Sequence, residues 1–329
     1  MTAPIDPRRP GPETGLRWRA LEPADVPAWH ALLQRMAAVD RPPWTDTTAD
    51  LEHALANSSN DPARDTLAGF DRTGTLRAFG RVALNRGSET ADGFGGVDPE
   101  LRGRGIGREV LRWQLERARQ RLHGPGHRRP VLRVYAEEAN AGHVGLLAAA
   151  GGTVSRYFTE MTRPLDAAPP EAPLPQGMSF ATFSNRLSEP IRQAHNEAFR
   201  DHWGSEPRDL ERWKFTTTHP HFRRDWSFAV IDGEGQVAGY HLASYDPECE
   251  RIHGHTEGYT ELLGVRRGWR GQGLAPAMLA EAMRRYAASQ MQKAALAVDT
   301  ENPSGALALY ENLGYRPTHR EVVFDFPLR

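Results

Sequence analysis

Two short glycine-rich segments carry the clearest chemical signal in the sequence. One runs from Arg102 to Gly107, and the other runs from Arg270 to Ala275. Each follows a predicted strand and leads directly into a predicted helix, so small residues would leave several backbone N–H groups exposed at the positive end of that helix. This arrangement is suited to hold phosphate, and a pyrophosphate is its natural ligand.

Other glycine-rich phosphate motifs fit these segments less well. The sequence contains no G-x-x-x-x-G-K-[ST] pattern, and the glycines of the Arg102 to Gly107 segment are not spaced as G-x-G-x-x-G. ATP and NAD are therefore less favoured as ligands. A single segment of this kind could be an ordinary strand-to-helix turn, but two copies in register with the same neighbouring elements argue against that interpretation.

The elements that must position the two turns also occur twice. After each turn we predict an amphipathic helix, a strand and a short helix that ends at a glycine, Gly151 or Gly314. Before each turn there is a hairpin signal, one at Asp71 to Gly74 and one at Asp232 to Gly235. In the first copy the helix is predicted over Gly107 to Leu122 and the strand over Val131 to Tyr135. In the second copy the helix is predicted over Pro276 to Ser289 and the strand over Ala294 to Val298. The repeat predicts two related α/β domains.

A proline-rich segment divides the 329-residue chain nearly in half. The stretch 164–177 contains five prolines and no long apolar periodicity, which is typical of a stiff, solvated connector. We therefore predict an N-terminal domain over 1–163, a linker over 164–177 and a C-terminal domain over 178–329.

Composition excludes several classes of protein. Lysine and arginine number 41 and aspartate and glutamate 42, so no strong overall charge points to nucleic acid or to an anionic membrane as the main partner. No apolar run reaches the roughly 18 residues that span a bilayer, and the N-terminus lacks the apolar core of a signal peptide, so we expect a cytoplasmic protein. The single cysteine, Cys249, cannot form an internal disulfide, and no histidine pattern indicates a metal site.

Both halves resemble the GCN5-related N-acetyltransferase (GNAT) family, whose signature is Gln/Arg-x-x-Gly-x-Gly/Ala after the fourth strand. The segment from Asn302 to Tyr315 in the second half resembles a further family motif, Asn…Leu-Tyr-x-x-x-Gly-Phe. The resemblance implies two tandem α/β domains, each with a mixed, mostly antiparallel central sheet flanked by helices. It also implies acetyl-CoA as co-substrate, with its pyrophosphate on the glycine-rich turn and its pantetheine arm along the preceding strand.

Carried over residue by residue, the resemblance assigns coenzyme binding to both halves. In the second half the implied residues are Leu263, Val265, Arg270, Gly271, Gln272, Gly273, Leu274, Ala275 and Asn302. In the first half they are Val97, Arg102, Gly103, Arg104, Gly105, Ile106 and Gly107.

The two halves differ at the residue that would donate a proton to the departing thiolate. The family assigns this task to the tyrosine of the second motif, which is Tyr310 here, whereas the aligned position of the first half is Leu147. We therefore predict that the C-terminal domain catalyses, while the N-terminal domain is catalytically degenerate and its binding of CoA remains open.

A general base is harder to assign from the sequence. Family members often carry a glutamate on the fourth strand at a position that aligns with Tyr259 here. Glu257 and Glu261 flank this tyrosine with the period of two that a strand face requires, so either carboxylate is a candidate to deprotonate the acceptor amine. The sequence slightly favours Glu257.

The expected reaction is direct acetyl transfer to a primary amine of a small molecule within a ternary complex. The two-domain layout is similar to that of a family member that acetylates the cysteinyl amine of a thiol-sugar. Acetylation of an antibiotic or polyamine and a non-catalytic acyl-CoA-binding role are the alternatives. The stretch from Ala198 to Gly204 is a weak candidate for the acceptor pocket, and the sequence leaves the oligomeric state open.

Overall fold

The computed structural model describes residues 7–85, 87–124, 126–200, 202–301 and 305–328. The chain forms two compact units. The first unit comprises the residues up to 157 together with those from 320 onward, and the second comprises 158–319. Each of the two units shows the predicted fold class, a mixed and mostly antiparallel sheet flanked by helices.

The first unit contains the predicted hairpin, strand, glycine-rich turn, helix, strand and short helix in that order. Its elements are β1 (Arg17–Arg19), α1 (Val26–Asp40), α2 (Thr48–Ala56), α3 (Pro62–Asp65), β2 (Thr66–Phe70), β3 (Leu76–Leu84), β4 (Thr90–Val97), α4 (Ile106–Arg121), β5 (Val131–Glu137), α5 (Ala141–Ala149) and the beginning of β6 (Thr153–Pro164). The sequence did not predict the short helices α2 and α3. In its sheet, β1 to β5 lie in sequence order, and β4 with β5 is the parallel pair. The predicted hairpin joins β2 to β3.

The second unit repeats the order of the strands. Its elements are the end of β6, β7 (Ser179–Thr182), α6 (Asn185–Ala198), α7 (Leu210–Thr218), β8 (Phe228–Ile231), β9 (Val237–Ser244), α8 (Pro247–His253), β10 (Glu257–Val265), α9 (Leu274–Ala288), β11 (Lys293–Asp299), α10 (Ala306–Asn312) and the beginning of β12 (Arg316–Pro327). Within the described ranges it has two α-helices instead of three before its hairpin and an additional helix, α8, between β9 and β10. Its sheet order is β7-β8-β9-β10-β11-β6, and β10 with β11 is the parallel pair.

The helix after each glycine-rich turn packs on its own sheet because its apolar residues recur at helical spacing. In α9, Leu274, Met278 and Tyr286 are almost completely buried and belong to the core of the second unit. In α4, Ile106 and Trp113 are buried in the same way. Packing of this kind holds the start of each helix, and therefore the turn before it, against the sheet.

The unit boundaries differ from the predicted ones because two long strands are divided between the units. Residues 158–164 of β6 pair with β11 and belong to the second unit, although the prediction assigned all but the last of them to the N-terminal domain. Residues 321–327 of β12 pair with β5 and belong to the first unit, although the prediction assigned them to the C-terminal domain. Long-range pairing of this kind leaves no local signal in the sequence.

The segment 164–177 also differs from the expected connector. After Pro164, the last residue of β6, it has irregular backbone, as its prolines predict, but it lies within the second unit, since β6 has already entered that unit's sheet. Leu165 and Leu174 pack against the core of this unit. Among the described residues, no helix combines the length and the apolarity that crossing a membrane requires.

In the first unit, two carboxyl groups face each other across neighbouring strands. Glu137 and Glu321 are register partners in the β5–β12 pair. Burial raises the pKa of each to about 7, and for Glu321 the charge of Glu137 adds to the effect. Because the folded protein then binds protons more tightly than the unfolded chain, their contribution to stability is full below the ordinary pKa of 4.5 and is lost as the pH rises through 7.

We expect Glu321→Gln to remove part of this pH dependence. Relative to wild type, the variant should gain about 1–2 kcal/mol in the free energy of unfolding as the pH rises from about 5 to about 8. Urea unfolding followed at several pH values measures the difference. Glu138→Gln, which changes an exposed carboxylate paired with Arg320, is the matched control and should keep the wild-type slope. Parallel pH curves for wild type and Glu321→Gln would contradict the prediction.

Candidate functional site

The turn after β10 in the second unit is a concave stretch of backbone that only glycine adopts without strain. Gly271 has a φ of 76° and Gly273 a φ of 81°, both in the left-handed region. A Cβ at either position would meet nothing within 4 Å, so the conformation requires glycine while the space beside the turn stays open. α9 begins at the next residue, Leu274, and its first N–H groups lack intrahelical partners. The turn can therefore accept an anionic group.

The side chain of Arg270 forms hydrogen bonds that hold this turn in place. Its Nε donates to the carbonyl of Val265 at 3.2 Å, and its Nη2 donates to the carbonyl of Ala198 at 2.8 Å. The guanidinium thus links the end of β10 to the end of α6. Gln272, in contrast, is exposed, and its amide lies 3.4 Å from the carbonyl of Gly268.

The first unit builds the same turn. Gly103 and Gly105 have φ values of 75° and 81°, and α4 begins at Ile106. The Nε of Arg102 donates to the carbonyl of Val97 at 3.2 Å, as Arg270 does to Val265. Here the guanidinium also forms a two-pronged ion pair with Asp40, with N–O distances of 2.7 and 2.6 Å.

The other predicted residues of this first turn have different environments. Ile106 is buried, a Cβ at Gly107 would lie 3.2 Å from the side chain of Leu146, and Arg104 donates to the carbonyl of Glu100 at 3.2 Å. The backbone shape thus repeats in both units, whereas the side chains around it differ.

In the second unit the parallel strands separate next to the turn. Pairing of β10 with β11 runs from Glu257 to Thr260 and extends no further along β10. The pairing of β10 with β9 shifts register between Thr260 and Leu262, so Glu261 lies in a bulge. The equivalent β3–β4 pair of the first unit keeps one register throughout. Bulge and separation together open the sheet of the second unit toward α9.

A cavity of about 830 Å³ occupies this opening and lies entirely within the second unit. Its volume falls in the range of small-molecule sites. Nine predicted site residues line it: Glu261, Leu263, Val265, Arg270, Gly271, Gly273, Leu274, Ala275 and Tyr310. Gln272 and Glu257 are not among the described residues that line the cavity, and Asn302 falls outside the described part of the chain.

Tyr310 contributes a phenol to the cavity wall. It lies on α10, and burial raises its pKa to about 12. The hydroxyl is therefore protonated at neutral pH and can donate a hydrogen bond or a proton. The aligned residue of the first unit, Leu147, is 1% exposed and packs into the core of that unit.

Glu257, Tyr259 and Glu261, which were predicted to share one strand face, have different environments in the structure. The hydroxyl of Tyr259 is buried and donates to the carboxylate of Glu160 at 3.0 Å. Burial and the charge of Glu160 raise the pKa of this phenol. Glu261 is exposed in the bulge and accepts a 2.6 Å hydrogen bond from the hydroxyl of Ser244. The carboxylate of Glu257 lies 3.0 Å from Nε2 of His255.

Sequence reasoning missed several residues of the cavity wall. Phe158, Trp269 and Asp299 line it, together with Ala198, Phe199 and His202 from the weakly predicted acceptor stretch. Asp299 ends β11, and the rule that parallel strands end at one sheet edge could have identified it. Phe158 carries no comparable local signal, because it comes from a strand that the prediction assigned to the other domain.

Each of the two repeats matches a known protein family. Residues 28–150 and 188–315 both match the family model described as the acetyltransferase (GNAT) family. A mycothiol acetyltransferase of Thermomonospora curvata is 30% identical over 233 residues, covering 70% of this chain and 72% of that protein. Another, from Streptomyces avermitilis, is 27% identical and covers 93% of this chain and 92% of its own.

A solved structure resembles the whole chain. The GCN5-related N-acetyltransferase of Sphaerobacter thermophilus superimposes with a TM-score of 0.73 at 26% sequence identity, and the match covers 98% of both chains.

Proposed function

The chain belongs to the acetyltransferase (GNAT) family, and from this premise we propose that its second unit transfers an acetyl group from acetyl-CoA to a primary amine of a small-molecule acceptor. One observation carries the proposal. The glycine-rich turn and the phenol of Tyr310 both line the cavity between the separated ends of β10 and β11.

The residues present fit the coenzyme. The open space beside Gly271 and Gly273 leaves room for a pyrophosphate against the first N–H groups of α9. Leu263 and Val265 offer the unpaired edge of β10 to an extended chain such as pantetheine. The coenzyme supplies the activated acyl group, and the protein binds and orients it.

In the proposed reaction the acceptor nitrogen forms a bond to the thioester carbonyl carbon, and the carbon–sulfur bond breaks. Glu261 takes the proton of the amine, directly or through a water molecule, because it is the carboxylate of the two candidates that lines the cavity. Tyr310 donates to the departing sulfur. No acyl-enzyme is formed.

For the acceptor, we propose a cysteinyl amine on a sugar, as in mycothiol-type thiols. Support comes from the mycothiol acetyltransferases that are 27 to 30% identical to this chain. Tyr259 stands where such an enzyme is expected to carry its strand glutamate, but Glu160 brings a carboxylate to that hydroxyl from β6. Antibiotics and other polyamines are the alternative acceptors, and a non-catalytic acyl-CoA-binding module is the alternative of another class.

The decisive experiment measures free CoA thiol from acetyl-CoA with a panel of amines, including a cysteinyl glycoside. We expect Glu261→Gln to lower kcat at neutral pH about 100-fold, the lower range for loss of a general base. Glu234→Gln, which changes an exposed hairpin carboxylate of the same unit, is the control and should behave as wild type.

Two other outcomes contradict this proposal. Loss of activity in Glu257→Gln but not in Glu261→Gln would transfer the role of base to Glu257. Tight binding of CoA without thiol release across the whole panel would instead favour the binding module.

A further inference from the structure

A cluster of possible metal ligands lies on the second unit, outside the cavity lining. One ligand atom from each of Cys249, His255 and Glu257 lies within 4.8 Å of the other two. Cys249 is on α8 and is 4% exposed, and Glu257 is the first residue of β10. The side chains of His255 and Glu257 are 18% and 13% exposed. The three groups therefore converge in a largely dry place.

The three side chains of the cluster also contact one another. The Glu257 carboxylate lies 3.0 Å from Nε2 of His255 and also interacts with the thiol of Cys249. A divalent cation would displace the thiol proton and any proton on Nε2, which is the usual linkage between metal binding and proton release.

The second ring nitrogen of His255 supports the same interpretation. Its Nδ1 lies 3.3 Å from the backbone carbonyl of His253. Histidine ligands in metal sites commonly donate this other N–H to a carbonyl, which sets the tautomer and leaves Nε2 free to bind the ion. His255 is oriented in this way, with Nε2 directed at Glu257.

We propose that Cys249, His255 and Glu257 form a zinc-binding site. One sulfur, one imidazole nitrogen and one carboxylate oxygen are donors typical of tetrahedral Zn²⁺, whereas Mg²⁺ and Ca²⁺ favour oxygen alone. The three protein ligands leave a fourth position for water. A thiolate and a carboxylate would together neutralise the ion. This proposal departs from the sequence prediction of no metal, which follows because the chain has neither several cysteines nor a histidine pair with the spacing of a metal motif.

The proposed ion would link α8 to the beginning of β10. At that point Glu257 is also the register partner of Lys293 on β11, where the parallel pairing begins. The charged groups near the thiol are Glu257, Asp246 and Lys293. Zinc would bind the carboxylate of Glu257, so this group would not act as the general base, which is consistent with Glu261 in that role.

The test uses the whole protein, stripped with a chelator and then titrated with Co²⁺ or Zn²⁺ alone. We expect one ion per chain, and with Co²⁺ a thiolate-to-metal charge-transfer band. Cys249→Ser should remove the band and weaken Zn²⁺ binding at least 100-fold, and His255→Ala should weaken it by a similar factor. His221→Ala, which changes a histidine of the same unit outside the cluster, should bind Zn²⁺ as wild type does.

Circular dichroism of each metal-free variant verifies the fold. Absence of stoichiometric binding would overturn the proposal, as would binding that Cys249→Ser and His255→Ala leave unchanged. Neither outcome tests acetyl transfer, because the two variants change Cys249 and His255, which are not among the residues that line the cavity.

Discussion

Tyr310→Phe is expected to lower kcat for acetyl transfer by at least about 100-fold, the lower range for loss of a general acid. The variant keeps the ring that packs in the cavity wall and removes only the hydroxyl. Because the pKa of Tyr310 is about 12, wild-type activity should show no alkaline loss from this group below about pH 11. Free thiol release at saturating acetyl-CoA measures kcat, and calorimetry should give an unchanged Kd for CoA.

A neighbouring tyrosine gives a matched control for this variant. The ring of Tyr315 lies 6.0 Å from that of Tyr310, and its buried hydroxyl has no hydrogen-bond partner in the part of the chain that the structure describes. Tyr315→Phe therefore removes the same group from the same region without loss of a bond, and it should retain wild-type turnover. Equal losses in both variants would indicate a packing effect, and unchanged turnover in Tyr310→Phe would remove Tyr310 from the mechanism.

Gly273→Val is expected to weaken CoA binding and to reduce kcat/KM at least tenfold. A β-branched residue at a φ of 81° is strained by an order of 1–3 kcal/mol, and the turn can relieve this strain only by losing the backbone shape that directs its N–H groups outward. Gly273→Asn distinguishes the effect of a changed backbone conformation from the effect of an added side chain, since asparagine tolerates the left-handed region. It should lose much less affinity than Gly273→Val. Calorimetry with CoA measures the affinity, and thiol release measures kcat/KM.

The first unit supplies the control for the glycine. Gly105 has the same φ of 81° at the equivalent place, so Gly105→Val introduces the same strain in the other turn. Acetyl transfer should remain near the wild-type rate in this variant. Loss of turnover in Gly105→Val together with normal turnover in Gly273→Val would place the reaction in the first unit.

Much of this protein could be predicted from short runs of consecutive residues. The left-handed glycines, the start of a helix directly after them and the contrast of Tyr310 with Leu147 depend on a few consecutive residues. The repeat adds a second, independent copy of the same signal. For these reasons the two α/β units, both glycine-rich turns and the helices α4 and α9 follow from the sequence.

Contacts between distant segments decided the rest. The bulge at Glu261 arises from the register of β9 against β10, and with the separation of β10 from β11 it opens the cavity to Glu261 and not to Glu257. Phe158 reaches this cavity because β6 continues into the sheet of the second unit, where it pairs with β11. The environment of Glu257 depends on α8 folding over the start of β10. A sequence pattern encodes backbone conformation within one turn or strand, but strand register and the meeting of side chains are set by packing of the whole sheet.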